Sequence, residues 1–287
     1  MKVKAFFEKE TFTLTYVVYD DVNRQAVIID PVLDYDPKSS KVKTDAIREV
    51  VSFITSSNLK PFYVLETHAH ADHLSGSQAL KEFFPDILVG INENIVKVQK
   101  VFKDVFNLKN LPTDGSQFDR LLKINETYQF GTLNFKVLPT PGHTPACSSF
   151  LVGEGESVFT GDALFMPDYG TGRCDFPAGS AEEMFHSVTE VLYKLPDQTR
   201  VFVGHDYLPN GRALKYETTI GVEKTENLRL NQKTTREEFV KFREDRDRQL
   251  EAPRLLLPSI QVNIRAAKFP DPEDNGTRYL KIPIRMG

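Results

Sequence analysis

Hydrophobic residues in this chain fall into short runs that are rich in valine, isoleucine, phenylalanine, tyrosine and threonine. The runs end at glycine, proline or aspartate. This pattern is typical of β-strands closed by turns. It predicts strands at residues 13–19, 26–30, 61–67, 87–90, 133–139, 148–152, 157–161 and 200–204.

Between these runs, hydrophobic residues recur at the spacing that gives a helix one apolar face. Ile47, Val50, Val51 and Ile54 form one such face, and residues 184–195 contain another. Because strands occur in both halves with helices between them, we expect an α/β fold in which helices cover two packed sheets.

The last eighty residues have a different composition. Residues 236–250 mix acidic and basic side chains, which predicts a helix with a solvated charged face. Prolines in residues 253–258 and 269–272 predict an irregular tail packed on the domain. With no repeat or linker visible, we expect one domain over residues 1–287, with 236–287 as a C-terminal extension.

The bulk composition excludes several classes of protein. The 287 residues carry a net charge of -4, which argues against nucleic acid as a partner. No apolar run approaches the roughly 20 residues that span a bilayer, and the charged amino terminus does not resemble a secretion signal. We therefore expect a cytoplasmic protein with no membrane contact. Its two cysteines, Cys147 and Cys174, are expected to be reduced.

Five of the six histidines lie in or just after predicted strands, and His186 on a helix is the exception. Two aspartates also lie just after predicted strands. Together with the five histidines they give the candidate ligands, which are His68, His70, Asp72, His73, His143, Asp162 and His205. Loops at the ends of strands usually carry function. Imidazole and carboxylate ligands together suit zinc, iron(II) or manganese. The pattern predicts a metal site, whereas His186 is expected to be an ordinary exposed residue.

Four ordered motifs resemble the signature of the metallo-β-lactamase superfamily. They are T-H-A-H-A-D-H at 67–73, P-G-H-T at 141–144, T-G-D at 160–162 and G-H-D at 204–206. The resemblance covers roughly residues 10–210. It implies an αββα sandwich of the metallo-β-lactamase fold, with the metal site at one edge of the two sheets. Reactions in this superfamily are diverse, so the fold alone does not decide the reaction.

Longer segments around the motifs are similar to the persulfide dioxygenases, also called sulfur dioxygenases, and particularly to bacterial proteins named β-lactamase-like hydrolases. These segments are 67–77, 141–146, 161–164, 172–176 and 205–207. The resemblance implies one Fe(II) per chain, held by His68, His143 and Asp162. It also implies that the iron and O₂ oxidise the terminal sulfur of glutathione persulfide to sulfite, releasing glutathione.

Two histidines and one carboxylate leave three positions on iron free for substrate and O₂. In this interpretation the remaining candidates orient the ligands and nearby waters, whereas in a binuclear enzyme they would hold a second metal. They are His70, Asp72, His73 and His205.

Two further residues are candidates for catalytic or substrate contacts. Arg173 lies in a glycine-rich turn after Asp162 and suits an anionic substrate, although a salt bridge with Asp175 is an equal alternative. Tyr207 is a candidate hydroxyl near the site, with packing as its alternative role. The tail from residue 255 onward is a candidate for closing over the substrate.

Several alternatives stay open on sequence alone. Zn(II) could replace Fe(II), and two metals would suit a glyoxalase II-like hydrolase of S-acylglutathione. A metal-dependent sensor is disfavoured because no position of the motif set is missing. The sequence does not decide whether the chain forms a homodimer. It also does not decide whether a separate rhodanese-type protein supplies sulfur.

Overall fold

The computed structural model describes residues 1–284 and 286, and its strands form two six-stranded sheets and one small three-stranded sheet. In chain order the strands are β1 (Lys2–Glu8), β2 (Thr13–Tyr19), β3 (Gln25–Ile29), β4 (Val32–Asp36), β5 (Lys41–Lys43), β6 (Lys60–Glu66), β7 (Leu74–Ser75), β8 (Leu88–Asn92), β9 (Arg120–Leu122), β10 (Thr127–Phe130), β11 (Leu133–Pro139), β12 (Ser148–Val152), β13 (Ser157–Phe159), β14 (Arg200–Phe202) and β15 (Glu217–Thr219).

Four α-helices lie in connections between strands, and three follow the last strand. The α-helices are α1 (Asp45–Ser56), α2 (Ser77–Phe83), α3 (Ile95–Val105), α4 (Ala181–His186), α5 (Ile220–Glu226), α6 (Arg236–Asp247) and α7 (Leu256–Asn263). A π turn at Ser187–Val191 and a 3₁₀ turn at Leu192–Lys194 continue α4. No helix in the described part of the chain is long and apolar enough to cross a membrane.

The first sheet has the order β1-β2-β3-β6-β8-β9, and the second runs from β10 to β15 in sequence order. Strands β3, β6, β8 and β9 are parallel, as are β13 and β14, and the other pairs in these two sheets are antiparallel. Parallel neighbours place their carboxyl ends at the same edge of a sheet. The loops after β3, β6, β13 and β14 therefore open at sheet edges where functional side chains can meet.

Successive side chains along a strand point to opposite faces of its sheet, and this alternation gives the protein two hydrophobic cores. In β2, Tyr16 and Val18 face the core between the sheets, whereas Val17 faces a second core under the helices. Ile47 and Ile54 of α1 enter that second core. On the other side of the molecule, the turn after α4 contacts β11, and α6 packs on α4. This arrangement of helix, sheet, sheet and helix is the αββα sandwich that the motifs predicted.

The eight predicted strands are all present; β2, β11 and β12 have the predicted bounds and the other five have shifted ends. Strands β13 and β14 each end two residues before the prediction, because the following residues already form the loops of the site. The strands that were not predicted are β1, β4, β5, β7, β9, β10 and β15. A strand of two or three residues is too short to show a period.

Two expectations about the C-terminal residues were partly wrong. Residues 269–284 form no helix or strand, as expected, but α7 runs from Leu256 to Asn263. Pro258 falls in the first turn of that helix, where a missing N–H is tolerated. The charged side chains of α6 are not all solvated either, because Arg243 and Asp247 are buried. Phe239 is fully buried and anchors α6.

Candidate metal centre

The loop after β6 carries the densest set of candidate ligands, and Asp30 fixes its start. Asp30 follows β3 with a left-handed φ of 47°. Its carboxylate accepts hydrogen bonds from the Thr67 N–H at 2.7 Å and from the Thr67 hydroxyl at 2.8 Å. All these groups are buried. The first sheet thereby sets the direction in which His68 leaves the strand.

Close approach of the two sheets explains the glycines that precede Asp162 and His205. A Cβ on Gly161 would lie 2.5 Å from the Thr67 hydroxyl oxygen. A Cβ on Gly204 would lie 3.0 Å from the Gly161 backbone. A larger residue at position 161 would force Thr67 to move, and one at position 204 would crowd the Gly161 backbone. Glycine at both positions lets the ends of β6, β13 and β14 meet.

The structure brings His68, His143 and Asp162 together. One potential ligand atom from each lies within 4.8 Å of the other two. The His143 Nε2 is 3.7 Å from an Asp162 carboxylate oxygen, and the rings of His68 and His143 have centroids 5.0 Å apart. These spacings suit one ion bound between two imidazoles and a carboxylate.

A second group consists of His70, Asp72 and His73, whose ligand atoms also lie within 4.8 Å of one another. The His205 Nε2 lies 3.3 Å from oxygens of both Asp72 and Asp162. Asp162 thus stands between the two groups. All seven candidate ligands converge on one region, while His186 is exposed on α4 as expected.

Each imidazole of the first loop has one nitrogen held by the protein. His68 Nδ1 donates to the Thr67 hydroxyl at 3.0 Å, and His73 Nδ1 donates to a backbone carbonyl at 3.1 Å. His70 donates from Nε2 to Asp30 at 3.1 Å. Likewise, His143 Nδ1 donates to the Arg173 carbonyl at 2.8 Å. Such contacts fix the tautomer and leave the other nitrogen as a lone-pair donor.

The lone-pair nitrogens of the first loop have no partner among the described residues. The buried, unpaired atoms are His68 Nε2, His70 Nδ1, His73 Nε2, Asp72 Oδ2 and Asp162 Oδ1. Buried polar atoms are nearly always satisfied, so such a group needs an explanation. A cation held by His68 and Asp162 would satisfy the unpaired atoms of the first group, and this donor set fits a metal ion.

The charges in the site are suited to a cation. Burial alone would raise the pKa of the Asp162 carboxyl, but His205, His143 and His68 lower it well below its usual range. Burial and the neighbouring His70 lower the pKa of His68, which keeps its imidazole neutral. An anionic carboxylate and a neutral imidazole are the forms that bind metals.

Two residues next to the site were missed in the sequence analysis. Asp30 and Glu66 lie 3.1 Å and 3.5 Å from His70 Nε2. Burial alone would lower the pKa of His70, but these carboxylates raise it well above its ordinary value. Glu66 also accepts hydrogen bonds from the hydroxyls of Ser75 and Ser77. Asp30 ends an apolar strand as Asp162 does, and that pattern was the available signal.

A cavity of about 450 Å³ opens beside the site. Its lining includes Asp72, His143 and Asp162. Aromatic side chains form much of the wall, namely Phe12, Phe165, Tyr169, Tyr207 and Phe242. The Tyr207 ring stacks on His205 with centroids 5.5 Å apart. Tyr207 therefore both packs against the site and faces the cavity.

Arg173 lines the cavity, but its guanidinium is already engaged. It donates from Nε and Nη2 to the two carboxylate oxygens of Asp175, both at 2.6 Å, and from Nη1 to the Glu251 carbonyl at 2.8 Å. The loop salt bridge named as the alternative is therefore present. A substrate contact by Arg173 would have to compete with it.

Neither cysteine is suited to handle a persulfide. Cys147 and Cys174 are both buried. Burial raises the pKa of Cys147 to about 12 and that of Cys174 further still. Only the thiolate is a good nucleophile, so both residues are packing groups.

Comparison with known proteins agrees with this geometry. Residues 9–205 match the profile described as the metallo-beta-lactamase superfamily. The chain is 45% identical to "Glyoxylase B2" of Dictyostelium discoideum over 99% of this chain and 97% of that protein. It is 32% identical to human "Persulfide dioxygenase ETHE1, mitochondrial" over 84% of this chain and 79% of that protein.

A solved structure extends the similarity beyond the matched residues. The crystal structure of ETHE1 from Myxococcus xanthus covers 93% of this chain and 100% of its own, with a TM-score of 0.74 and 33% identity. The ordered histidines and aspartates, the two packed sheets and these matches lead to one assignment: the chain belongs to the metallo-β-lactamase superfamily.

Proposed function

We propose that this protein is a mononuclear Fe(II) persulfide dioxygenase, with glutathione persulfide as its substrate. The observation that carries the proposal is the compact set of His68, His143 and Asp162. Two imidazoles and one carboxylate are the ligand set of non-haem iron oxygenases. Relatives named persulfide dioxygenase, which match along most of both chains, support the same reaction.

The reaction converts a persulfide anion, O₂ and water into a thiol, sulfite and one proton. The terminal sulfur gains three oxygen atoms and loses four electrons to O₂, while the sulfur–sulfur bond breaks and the inner sulfur leaves as the thiol. Fe(II) would supply the redox chemistry that activates O₂ beside a soft sulfur anion, which zinc cannot do.

The neighbouring side chains have supporting roles in this proposal. Asp30 and Glu66 hold His70 through its Nε2 and give that region negative charge. His205 lies between Asp72 and Asp162 and orients both carboxylates. Burial and the Asp162 and Asp72 carboxylates raise the pKa of Tyr207 well above its usual range. Its phenol therefore stays protonated and can donate a hydrogen bond to a sulfur or oxygen anion.

The cavity favours an anionic peptide thiol. Five arginines line it, at 173, 229, 243, 246 and 254. Arg173, Arg243 and Arg254 lie within 4.0 Å of carboxylates, whereas Arg229 and Arg246 form no ion pair with the described carboxylates. We propose that the glutathione carboxylates bind Arg229 and Arg246, with Arg173 as a weaker third contact.

A binuclear thioester hydrolase of S-acylglutathione is the second candidate. It is favoured by the unpaired nitrogens of His70 and His73, which together with Asp72 could hold a second ion. The relative named glyoxylase, at 45% identity, points the same way. Two metals would generate a hydroxide for attack on the thioester.

Metal analysis combined with oxygen consumption separates the two candidates. We expect protein loaded with Fe(II) under anaerobic conditions to retain about one iron per chain. It should then consume O₂ only when glutathione persulfide is added, and should form sulfite. Protein loaded with zinc should consume none.

The opposite result would be two zinc ions per chain, no O₂ uptake after iron loading, and hydrolysis of S-lactoylglutathione. That outcome would replace the dioxygenase with the hydrolase.

We also propose that the protein is cytoplasmic and that a separate rhodanese-type protein supplies its sulfur. Addition of a purified rhodanese with thiosulfate and glutathione to the oxygen assay tests the donor directly.

A further inference from the structure

A buried ion pair on α6 holds the loop that lies against the metal ligands. Arg243 Nε donates to Asp247 at 3.0 Å, and both side chains are buried. Arg243 Nη1 also donates to the Thr171 carbonyl at 3.1 Å. Asp247 accepts the Cys174 N–H at 2.7 Å. The ion pair therefore forms hydrogen bonds with both ends of the segment 171–174.

That segment contacts two proposed ligands directly. The Arg173 carbonyl accepts the His143 Nδ1–H at 2.8 Å, and the Gly172 N–H donates to the Asp162 carbonyl at 3.1 Å. A Cβ on Gly172 would lie 2.2 Å from that same carbonyl oxygen. The segment cannot move without moving His143 and Asp162.

A second contact comes from α7. Asn263 Nδ2 donates to the carbonyls of His70 and His73, both at 2.8 Å. Asn263 Oδ1 accepts the Ser75 N–H at 2.9 Å. The side chain is 4% exposed, so no water competes effectively for these bonds. One amide thus spans the loop that carries the first four candidate ligands.

We propose that the C-terminal segment, residues 236–263, positions the metal ligands, and that Asp247 and Asn263 are its positioning residues. Asp247 acts through the segment 171–174 on His143 and Asp162. Asn263 acts on the loop of His68 to His73. The metal site is then completed by helices that lie outside the residues matched by the family profile, 9–205.

This role rests on the part of the proposed function in which His68, His143 and Asp162 bind a metal, and does not depend on the reaction that follows. A protein that proved to be a zinc hydrolase would still need the same two contacts. The test therefore measures metal affinity with Fe(II) and, separately, with Zn(II). If the dioxygenase assay fails, the positioning role of Asp247 and Asn263 is not contradicted.

The experiment compares Asp247→Asn and Asn263→Asp with the wild-type chain. Both substitutions preserve side-chain size. The first removes the charge that compensates Arg243. The second replaces the Nδ2 amide group, which donates both N–H bonds, with one oxygen that faces two carbonyls. We measure the metal dissociation constant by chelator competition under anaerobic conditions. The visible absorption spectrum of the Co(II)-loaded protein serves as a signature of ligand geometry.

Two further variants separate positioning from general stability. Asp245→Asn is the matched control, because Asp245 lies on the same helix in an exposed ion pair with Lys241. The double variant Arg243→Met with Asp247→Leu replaces the buried pair with apolar side chains. Such replacements often retain or raise stability. This variant would still lose the bonds to Thr171 and Cys174.

We expect about a 10-fold or greater loss of affinity for both metals in Asp247→Asn, in Asn263→Asp and in the double variant. The Co(II) spectrum should change in all three, while Asp245→Asn behaves as wild type. Wild-type affinity and spectrum in the double variant, folded with an unchanged Tm, would overturn the role of Asp247. Wild-type values in Asn263→Asp would overturn that of Asn263.

Discussion

At the scale of single residues, each histidine of the metal centre is oriented by a hydrogen bond from one ring nitrogen to another group of the protein. His68 is oriented by Thr67, and His143 by the Arg173 carbonyl, each through Nδ1. His70 is reversed, because Asp30 holds its Nε2. The choice of nitrogen therefore differs between neighbouring histidines and follows from the second hydrogen bond of each ring.

Asp162→Ala is expected to abolish retention of metal. The substitution removes the only carboxylate of the proposed triad and leaves two imidazoles too weak to hold Fe(II) on their own. Iron bound after gel filtration should fall to background, and O₂ uptake with it. His186→Ala serves as control because that histidine is exposed on α4. Stoichiometric iron in Asp162→Ala would remove Asp162 from the ligand set.

At the scale of elements, α5 carries a buried carboxyl group outside the metal site. Glu223 is fully buried and accepts a hydrogen bond from Asn227 at 2.7 Å, while its other oxygen has no partner among the described residues. Burial raises its pKa to about 8. The nearby carboxylates of Asp168 and Glu226 act in the same direction.

This raised pKa makes the stability of the protein sensitive to alkaline pH. Between the unfolded pKa, near 4.5, and the folded value of about 8, the folded state binds a proton that the unfolded state has lost. Stability therefore falls as pH rises through this range. Glu223→Gln cannot ionise, so its stability relative to wild type should increase by about 2 kcal/mol or more from pH 5 to pH 8.

Denaturant unfolding at pH 5 and pH 8 checks this expectation. Glu237→Gln is the control, because it removes an exposed carboxyl group on a different helix, α6, and it should show little change with pH. Because other groups titrate equally in both proteins, the difference between variant and wild type isolates Glu223. A constant difference across the two pH values would mean that Glu223 ionises normally in the folded chain.

At the scale of the whole molecule, the cavity joins parts of the chain that are distant in sequence. Glu10 and Phe12, which precede β2, line one part of the cavity. Phe242 and Arg246 of α6 line another part, together with Arg254, which follows that helix. The α6 helix thus contributes to the cavity with one face and to the metal loops with Asp247. We propose that residues 1–287 act as one domain for this reason.

Arg246→Ala is expected to weaken binding of glutathione persulfide while leaving the metal in place. Loss of one partly exposed charge contact corresponds to about 1 kcal/mol, or roughly a five-fold rise in KM. The kcat should stay near the wild-type value, because Arg246 is not among the candidate ligands. Added salt should raise the wild-type KM and have less effect on the variant.

Arg248→Ala provides the matched control for this measurement. Arg248 lies two residues further along the chain and pairs with Asp245 instead of lining the cavity. The Arg248→Ala substitution removes the same charge from the protein as Arg246→Ala but does not remove a residue that lines the cavity. Equal KM values for Arg246→Ala and wild type would show that Arg246 does not bind the substrate.

The sequence by itself determined the strands and the order of the ligands. Both depend on local patterns, because alternation marks a strand and the motif residues follow each strand directly. Local patterns predicted two packed sheets covered by helices and a metal site, whereas the αββα fold and the set of His68, His143 and Asp162 were implied by the family resemblance. The charge on α6 misled the prediction, because local composition does not reveal that Arg243 and Asp247 pack against residues 171–174.

Only the tertiary structure decided how the ligands are held. Asp30 reaches His70 from 40 residues away, and Asn263 reaches the carbonyl of His70 from 193 residues away. No periodic pattern links positions so far apart, and neither Asp30 nor Asn263 belongs to a motif. These contacts form because the sheets and the C-terminal helices bury them together, where each polar group must find a partner.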